Sequence, residues 1–194
     1  DTTLGTPQIL AAAALGLGLA AAVGFRIFVP FLLVGIAAKT GAVHLADGFA
    51  WLGSDAALFM FGVAAVLEIA AYFVPFFDNL LDTVAGPAAV VAGSVLMAST
   101  LVDLEPWLRW AVAIVAGGGT AGIFHGTLAG LRLGSTATTG GLANPTFATL
   151  ETGGATALTL LAIILPLAAL ILVVFLLVRG VRKVLRRLWR PRRA

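Results

Sequence analysis

Two charged residues stand inside long apolar runs of the sequence. Arg26 lies within residues 7–38, and Glu68 lies within residues 54–74. A lone charge at the centre of a bilayer costs at least about 2.5 to 3.5 kcal/mol on insertion-based scales, so each charge needs a partner or water. We predict that Arg26 and Glu68 pair with each other. The pair would be either a fixed link between two helices or a gate or proton-coupled site that opens.

Oxygen-bearing side chains continue from Glu68 as Tyr72, Asn79 and Asp82, with Asp78 beside them. Their spacing of four, seven and three residues places them on one face of a helix, provided that the segment stays helical throughout. Such oxygen ligands suit a hard cation such as Mg²⁺ or Ca²⁺ better than zinc or copper. They are too few to define a metal site, and Asp78 and Asp82 equally fit a solvated loop.

Residues 135–145 form an uncharged segment of hydroxyls and glycines that ends in Asn144 and Pro145. Asn144 is a favourable N-cap, and Pro145 suits the first position of a helix. A helix that begins there directs its first backbone N–H groups towards an anion or a polar headgroup. We predict that this segment folds back towards the membrane, with the new helix near Arg26. The polar residues Glu68, Tyr72, Asn79 and Asp82, with Asp78, which we call the acidic stripe, would lie opposite. The alternative is an ordinary exposed loop.

The elements that carry these residues follow from the composition. The 194 residues are 60% hydrophobic and 11% charged, and their mean hydropathy is +1.07. A soluble domain is roughly a quarter charged, so soluble enzymes and disordered or disulfide-rich chains are excluded. No cysteine is present, and no catalytic triad, phosphate-binding loop or dinucleotide fingerprint is visible. The composition predicts an all-α, polytopic transmembrane helical bundle that is not an enzyme and needs no cofactor.

Five apolar runs are predicted to cross the membrane: residues 7–38, 54–74, 87–101, 106 to about 130, and 156–178. The first is too long for a simple span, and residues 24–30 are its weak point. A transmembrane domain of residues 1–178 is followed by a basic tail, residues 179–194, which carries eight of the 12 basic residues. The positive-inside rule places this tail in the cytoplasm and residues 78–82 outside, with Arg132 as the one exception. Such a tail binds membrane lipids rather than nucleic acid.

Four glycines repeat at four-residue spacing in the fourth run. Gly118, Gly122, Gly126 and Gly130 form a ridge without side chains, which favours close helix packing and self-association. A narrow path along the ridge is the alternative function. His125 lies beside the ridge, where a hydrogen bond to another helix is its expected role.

Several of these motifs together resemble a known family. They are Gly24-Phe25-Arg26 with Pro30, Glu68 to Tyr72, Pro75, Asp78-Asn79-Leu80-Leu81-Asp82-Thr83, Thr138-Thr139-Gly140-Gly141, Asn144-Pro145 and Glu151. They are similar to a bacterial membrane family called domain of unknown function 4126, over about Leu10 to Val178. Many relatives carry Asp-Lys at Tyr72-Phe73, so no charge-based role is carried over there. The resemblance implies a bacterial inner-membrane location and no established activity.

The predicted function is that of a small, oligomeric transporter or channel-like protein for a small ion or polar solute. Its expected pathway residues are Arg26, Glu68, Tyr72, Asp78, Asn79, Asp82 and Asn144. The competing function is a non-catalytic structural or assembly subunit of a larger membrane complex, in which these residues only lock helices together. A membrane enzyme acting on lipid comes third, supported by the acidic stripe alone.

Overall fold

The computed structural model describes residues 5–71, 75–140 and 142–188, with the side chains of these residues except 6, 75–83, 144, 181 and 183–188. This part of the chain forms seven α-helices and no strand, which confirms the all-α class. They are α1 (Thr6–Phe25), α2 (Phe28–Lys39), α3 (Asp55–Ala71), α4 (Pro75–Thr100), α5 (Pro106–Thr139), α6 (Asn144–Ile164) and α7 (Pro166–Leu188). A short 3₁₀ helix, Ala50–Gly53, precedes α3, and α5 contains a π-helical stretch, Ala113–Gly118.

Three of the helices are long and apolar enough to cross a membrane, namely α1, α5 and α6. The helix α2, the second part of α4 and the first part of α7 are also apolar but shorter. Large apolar side chains such as Phe59, Val115 and Ile171 are exposed on the outside of the bundle. A soluble monomer rarely exposes so many large apolar side chains. Length, composition and surface therefore fit a membrane protein.

The centre of the bundle is α1, which packs against α4, α5, α6 and α7. Residues 19–23 of this helix are completely buried. Three glycines of α1 face different neighbours: Gly16 faces α4, Gly18 faces α6 and α7, and Gly24 faces α5. A side chain at any of these positions would collide with the neighbouring helix, so the glycines allow the backbones to approach closely.

The first apolar run breaks where the sequence predicts a weak point. Arg26 is extended, with φ −148° and ψ 134°, and it ends α1 before α2 begins at Phe28. The 20 residues of α1 alone rise about 30 Å, which matches the thickness of the hydrocarbon core. Arg26 therefore lies between two helices rather than within one, and the helix before it is already long enough to cross the hydrocarbon core.

The predicted fifth span, residues 156–178, is also interrupted. Leu165 has φ −135° and ψ 70°, so α6 ends at Ile164 and α7 begins at Pro166. Proline lacks the N–H that would continue α6, and it disfavours the helical conformation at the residue before it. Hydropathy alone gave no sign of this break, because the residues on both sides are apolar.

The predicted re-entrant loop at residues 135–145 is wrong, because α5 continues as a helix to Thr139. The hydroxyls of Thr138 and Thr139 donate to the carbonyl oxygens of Gly134 and Ser135, at 3.0 and 2.9 Å. The helix thus satisfies the hydroxyls that suggested an irregular segment. Gly140 then ends α5 in the left-handed conformation, with φ 61°, and a short turn leads to α6.

The third predicted span begins earlier than expected, since α4 starts at Pro75 and contains Pro87 within it. Gly93 of α4 meets Gly117 of α5, and a Cβ on Gly117 would lie 2.7 Å from the Gly93 carbonyl oxygen. Gly118 and Gly122 of the predicted ridge also pack against α4, near Ser94 and Val90 respectively. By contrast, no described atom lies within 4 Å of a Cβ on Gly126 or Gly130. The first half of the ridge thus packs within the bundle, and the second half faces outwards.

Candidate functional site

Arg26 is held at the break between α1 and α2. Its backbone N–H still donates to the Ala22 carbonyl of α1, but its extended conformation ends the helix. The guanidinium Nη2 donates to the Ala148 carbonyl oxygen of α6 at 3.1 Å. Arg26 is the largest fully buried side chain of the described part, with 1% of its surface exposed. The break therefore turns a cation towards α6 in the interior of the protein.

Glu151 of α6 supplies the carboxylate that this cation meets. Arg26 Nη2 lies 3.7 Å from Glu151 Oε2. Arg132 of α5 approaches more closely, since its Nη2 donates to Oε1 at 2.8 Å and to Oε2 at 2.9 Å. Arg132 is 4% exposed and Glu151 is 2% exposed. Two cations thus share one buried carboxylate, and the three side chains connect α5, α6 and the end of α1.

The predicted direct pair of Arg26 and Glu68 is wrong. Glu68 of α3 instead accepts two backbone hydrogen bonds, from Ile27 N–H to Oε1 at 2.8 Å and from Phe28 N–H to Oε2 at 3.0 Å. The first N–H groups of a helix have no carbonyl partner within it, and the break exposes them at the start of α2. Glu68 satisfies these groups, while Arg26 acts on its carboxylate through coulombic attraction.

Together, Arg26, Glu68, Arg132 and Glu151 form what we call the charge cluster. The sequence singled out Arg26 and Glu68 as site residues but missed Arg132 and Glu151. One signal for Arg132 was available, because it was the only basic residue that contradicted the predicted orientation. Its burial beside Glu151 explains the contradiction, since a paired basic residue inside the protein does not report the side of the membrane.

The other predicted pathway residues lie partly or wholly outside the described residues. Tyr72 is outside the described chain, and the backbones of Asp78, Asn79 and Asp82 form the first turns of α4. The predicted helix start is present, but α6 begins one residue earlier than expected, with Ala143 rather than Asn144 as its N-cap; the side chain of Asn144 is outside the described part. The acidic stripe is therefore not placed. Among the described residues, no group of three His, Asp or Glu side chains is close enough to hold a metal ion.

The register of α4 and α5 places the beginning of α4 on the side of the charge cluster. A Cβ on Gly93 would contact Ala121, whereas a Cβ on Gly86 would lie 3.7 Å from the His125 ring. Earlier residues of α4 therefore meet later residues of α5, and the two helices are antiparallel. His125 is buried and precedes Arg132 by two helical turns. The α4 turns that contain Asp78 and Asp82 precede Gly86 in the chain. They therefore lie on the side of Gly86 that is nearer the Arg132 end of α5.

The fold and the site define an all-α protein with apolar helices of membrane-spanning length and a buried charge cluster at a helix break. The family model described as Domain of unknown function (DUF4126) matches residues 13–186, and the chain belongs to this family. This finding confirms the resemblance seen in the sequence motifs. No curated protein and no solved structure gives a significant match to the chain.

Proposed function

We propose that this protein is a small membrane transporter or channel-like protein, in which the charge cluster forms part of a polar site for a small ion or polar solute. The observation that supports the proposal is the bonding of Arg26 at the break between α1 and α2. Its guanidinium contacts α6, while the N–H groups that follow it bind Glu68 of α3. Transporters often build their sites from such discontinuous helices, whose ends offer polar backbone groups.

Charge inside a membrane protein also supports the proposal. Ionisable groups in membrane segments are costly, and they commonly mark ion or solute pathways. Here the cost is met by groups from four different helices, so a movement of any one helix would change the charges that the others meet. A bound ion or polar solute would compensate such a change. The cluster is thus suited to link ligand binding with helix movement.

The second candidate function is a structural or assembly subunit of a larger membrane complex. The tight contact between Arg132 and Glu151 favours this alternative, because a fully buried pair also fixes how α5 docks on α6. In that case the contacts of the charge cluster would stay intact while the protein functions.

Location and assembly belong to the same proposal. The family resemblance supports a bacterial inner membrane, and the basic residues after Val178 support a cytoplasmic carboxyl end in contact with anionic lipids. The outward-facing Gly126 and Gly130 support self-association through α5, since glycines let two helices approach closely.

A flux screen on the purified protein in liposomes tests the proposal. Small cations, anions, protons and neutral polar solutes are offered in turn, and empty liposomes provide the background. We expect flux of at least one solute, with a strong loss in Glu151→Gln. Glu105→Gln makes the same chemical change at an exposed position and should retain the flux. If well-folded protein carries none of the solutes, the structural-subunit function is to be preferred.

A further inference from the structure

Glu68 is bonded differently from the other buried carboxylate of the charge cluster. Each of its two oxygens accepts one neutral backbone N–H, from Ile27 and from Phe28. Glu151 is instead bound by the Arg132 guanidinium and lies near that of Arg26. A proton added to Glu151 would remove the negative charge that two cations share. A proton added to Glu68 disturbs two hydrogen bonds to neutral groups and the attraction of Arg26, but no direct ion pair, so Glu68 is the carboxylate of the two that is better suited to exchange a proton.

The two hydrogen bonds of Glu68 are strongest in its ionised form. A carboxylate has acceptor lone pairs on both oxygens, whereas a carboxylic acid carries an O–H donor on one of them. After protonation, the oxygen that carries the proton is a poorer acceptor, so the hydrogen bond that it accepts from Ile27 or Phe28 would be weakened. The step is a simple, reversible addition of one proton to one carboxylate oxygen.

These bonds join α3 to the beginning of α2. The helix α3 packs on α2 and on the 3₁₀ helix Ala50–Gly53. Val66 and Leu67, next to Glu68, are exposed on the outside of the bundle. Glu68 itself is only half-buried, in contrast to Glu151. Glu68 is therefore less enclosed by the described protein than Glu151 is.

Among the described residues, few charged groups surround Glu68. At the break, the Arg26 guanidinium attracts its carboxylate. The only charged residue of α2 is Lys39, at the far end of that helix, where it pairs with Asp55 at the start of α3. The 3₁₀ helix carries no charge. Arg26 also lies 3.7 Å from Glu151 Oε2 of α6, so its guanidinium interacts with both carboxylates of the cluster.

We propose that Glu68 is a proton-binding site whose occupancy controls the docking of the α2 N-terminus on α3. When Glu68 is ionised, it accepts hydrogen bonds from the N–H groups of Ile27 and Phe28 and keeps the start of α2 docked on α3. When Glu68 is protonated, α3 moves away from the start of α2, which the Arg26 contact with α6 keeps in place. This inference goes beyond the transport proposal, because the switch needs no transported solute. In a transporter, it would make the proton the coupling ion.

A distance measurement in the reconstituted protein tests the inference. The chain contains no cysteine, so Val66→Cys in α3 and Ile123→Cys in α5 can carry two nitroxide labels on exposed positions without background. The distance between the labels is measured in liposomes from alkaline to acidic pH. We expect a second, shifted distance to grow in population on acidification. In Glu68→Gln, whose amide also places a donor at one oxygen position, the shifted distance should dominate at every pH.

Three controls make the result decisive. Glu105→Gln should keep the pH response of the Val66–Ile123 pair, and Glu68→Asp, which retains a carboxylate, should keep it if Glu68→Gln does not fold. Labels on Ile123→Cys and Ile171→Cys, in two helices that pack on α1, should show no response. A Val66–Ile123 distance that ignores pH, or a response that persists in Glu68→Gln, overturns the inference. A pH response without any solute flux refutes the transport proposal but not the proton site. Solute flux with a pH-independent distance refutes the proton site but not the transport proposal.

Discussion

Arg132 and Glu151 are 19 positions apart in the sequence, and a single guanidinium nitrogen of Arg132 lies within 2.9 Å of both carboxylate oxygens of Glu151. Both side chains are buried, so the contact is shielded from water. The helices α5 and α6 are also consecutive in the chain, where the short turn that follows Gly140 connects them. Among the described residues, this ion pair is a buried polar link that helps to set how the two helices pack against each other.

The first prediction concerns the shared carboxylate. Glu151→Gln should lower the free energy of unfolding by about 3–5 kcal/mol, because it removes the counter-charge of buried guanidinium groups. Denaturant titration of the purified protein in detergent micelles measures the change. The exposed Glu105→Gln should shift the same curve by no more than about 0.5 kcal/mol. Equal, small effects of both variants would show that the cluster does not stabilise the fold.

The second prediction ranks the two cations. A double-mutant cycle of Arg132→Ala with Glu151→Ala should give a coupling energy towards the upper end of the range of about 0.5–3 kcal/mol. The cycle of Arg26→Ala with Glu151→Ala should give a smaller value, because that distance is 3.7 Å rather than 2.8 Å. The denaturant titration described for Glu151→Gln measures the free energy of unfolding of each single and double variant. The reverse order would mean that Arg26 is the principal partner of Glu151.

The third prediction compares two glycines of the bundle. Gly24→Ala should cost about 1–3 kcal/mol, because its Cβ would collide with Phe124 and lie 2.9 Å from the Ala121 carbonyl oxygen. Gly126→Ala should instead be neutral or stabilise the monomer by about 0.5–1 kcal/mol, since its Cβ meets no described atom and alanine favours a helix. Thermal unfolding in micelles distinguishes the two. A costly Gly126→Ala that also abolishes a dimer on a sizing column would place self-association at that glycine.

The fourth prediction concerns orientation. Cysteines at Arg182 and at Asp103 should be protected from an impermeant thiol reagent added to whole cells, and a cysteine within residues 78–82 should react. The positive-inside rule supplies the reason, because eight basic residues follow Val178. The cysteine-free chain gives a clean background. Labelling of the Arg182 position from the outside would reverse the proposed orientation.

The break after α1 was predictable because its cause is local. Gly24 weakens the helix, and Pro30 lies within the next turn, so the sequence between them marks a place where a long apolar run is interrupted. The break at Leu165 has an equally local cause in Pro166, yet continuous hydropathy on both sides concealed it. Local signals therefore locate breaks reliably only when the polarity also changes.

The partner of Arg26 was not predictable in the same way. Arg26 and Glu68 are the two conspicuous charges in apolar runs, and pairing them was the simplest choice. The actual choice depends on the path of the chain, which brings Ala148 and Glu151 to the break. It also depends on the backbone, because the break creates N–H groups at Ile27 and Phe28 that compete for Glu68. Neither factor is visible from side-chain types alone.

The central position of α1 has a consequence for how the protein is made. The ribosome delivers α1 and Arg26 first, yet the Ala148 carbonyl that receives this guanidinium is 122 residues further along the chain. Glu68 arrives much sooner, 41 residues after Ile27, and can secure the start of α2 while synthesis continues. The contacts of Arg26 with Ala148 and Glu151 can therefore form only after α6 has been synthesised, whereas the docking of α2 on Glu68 does not need α6.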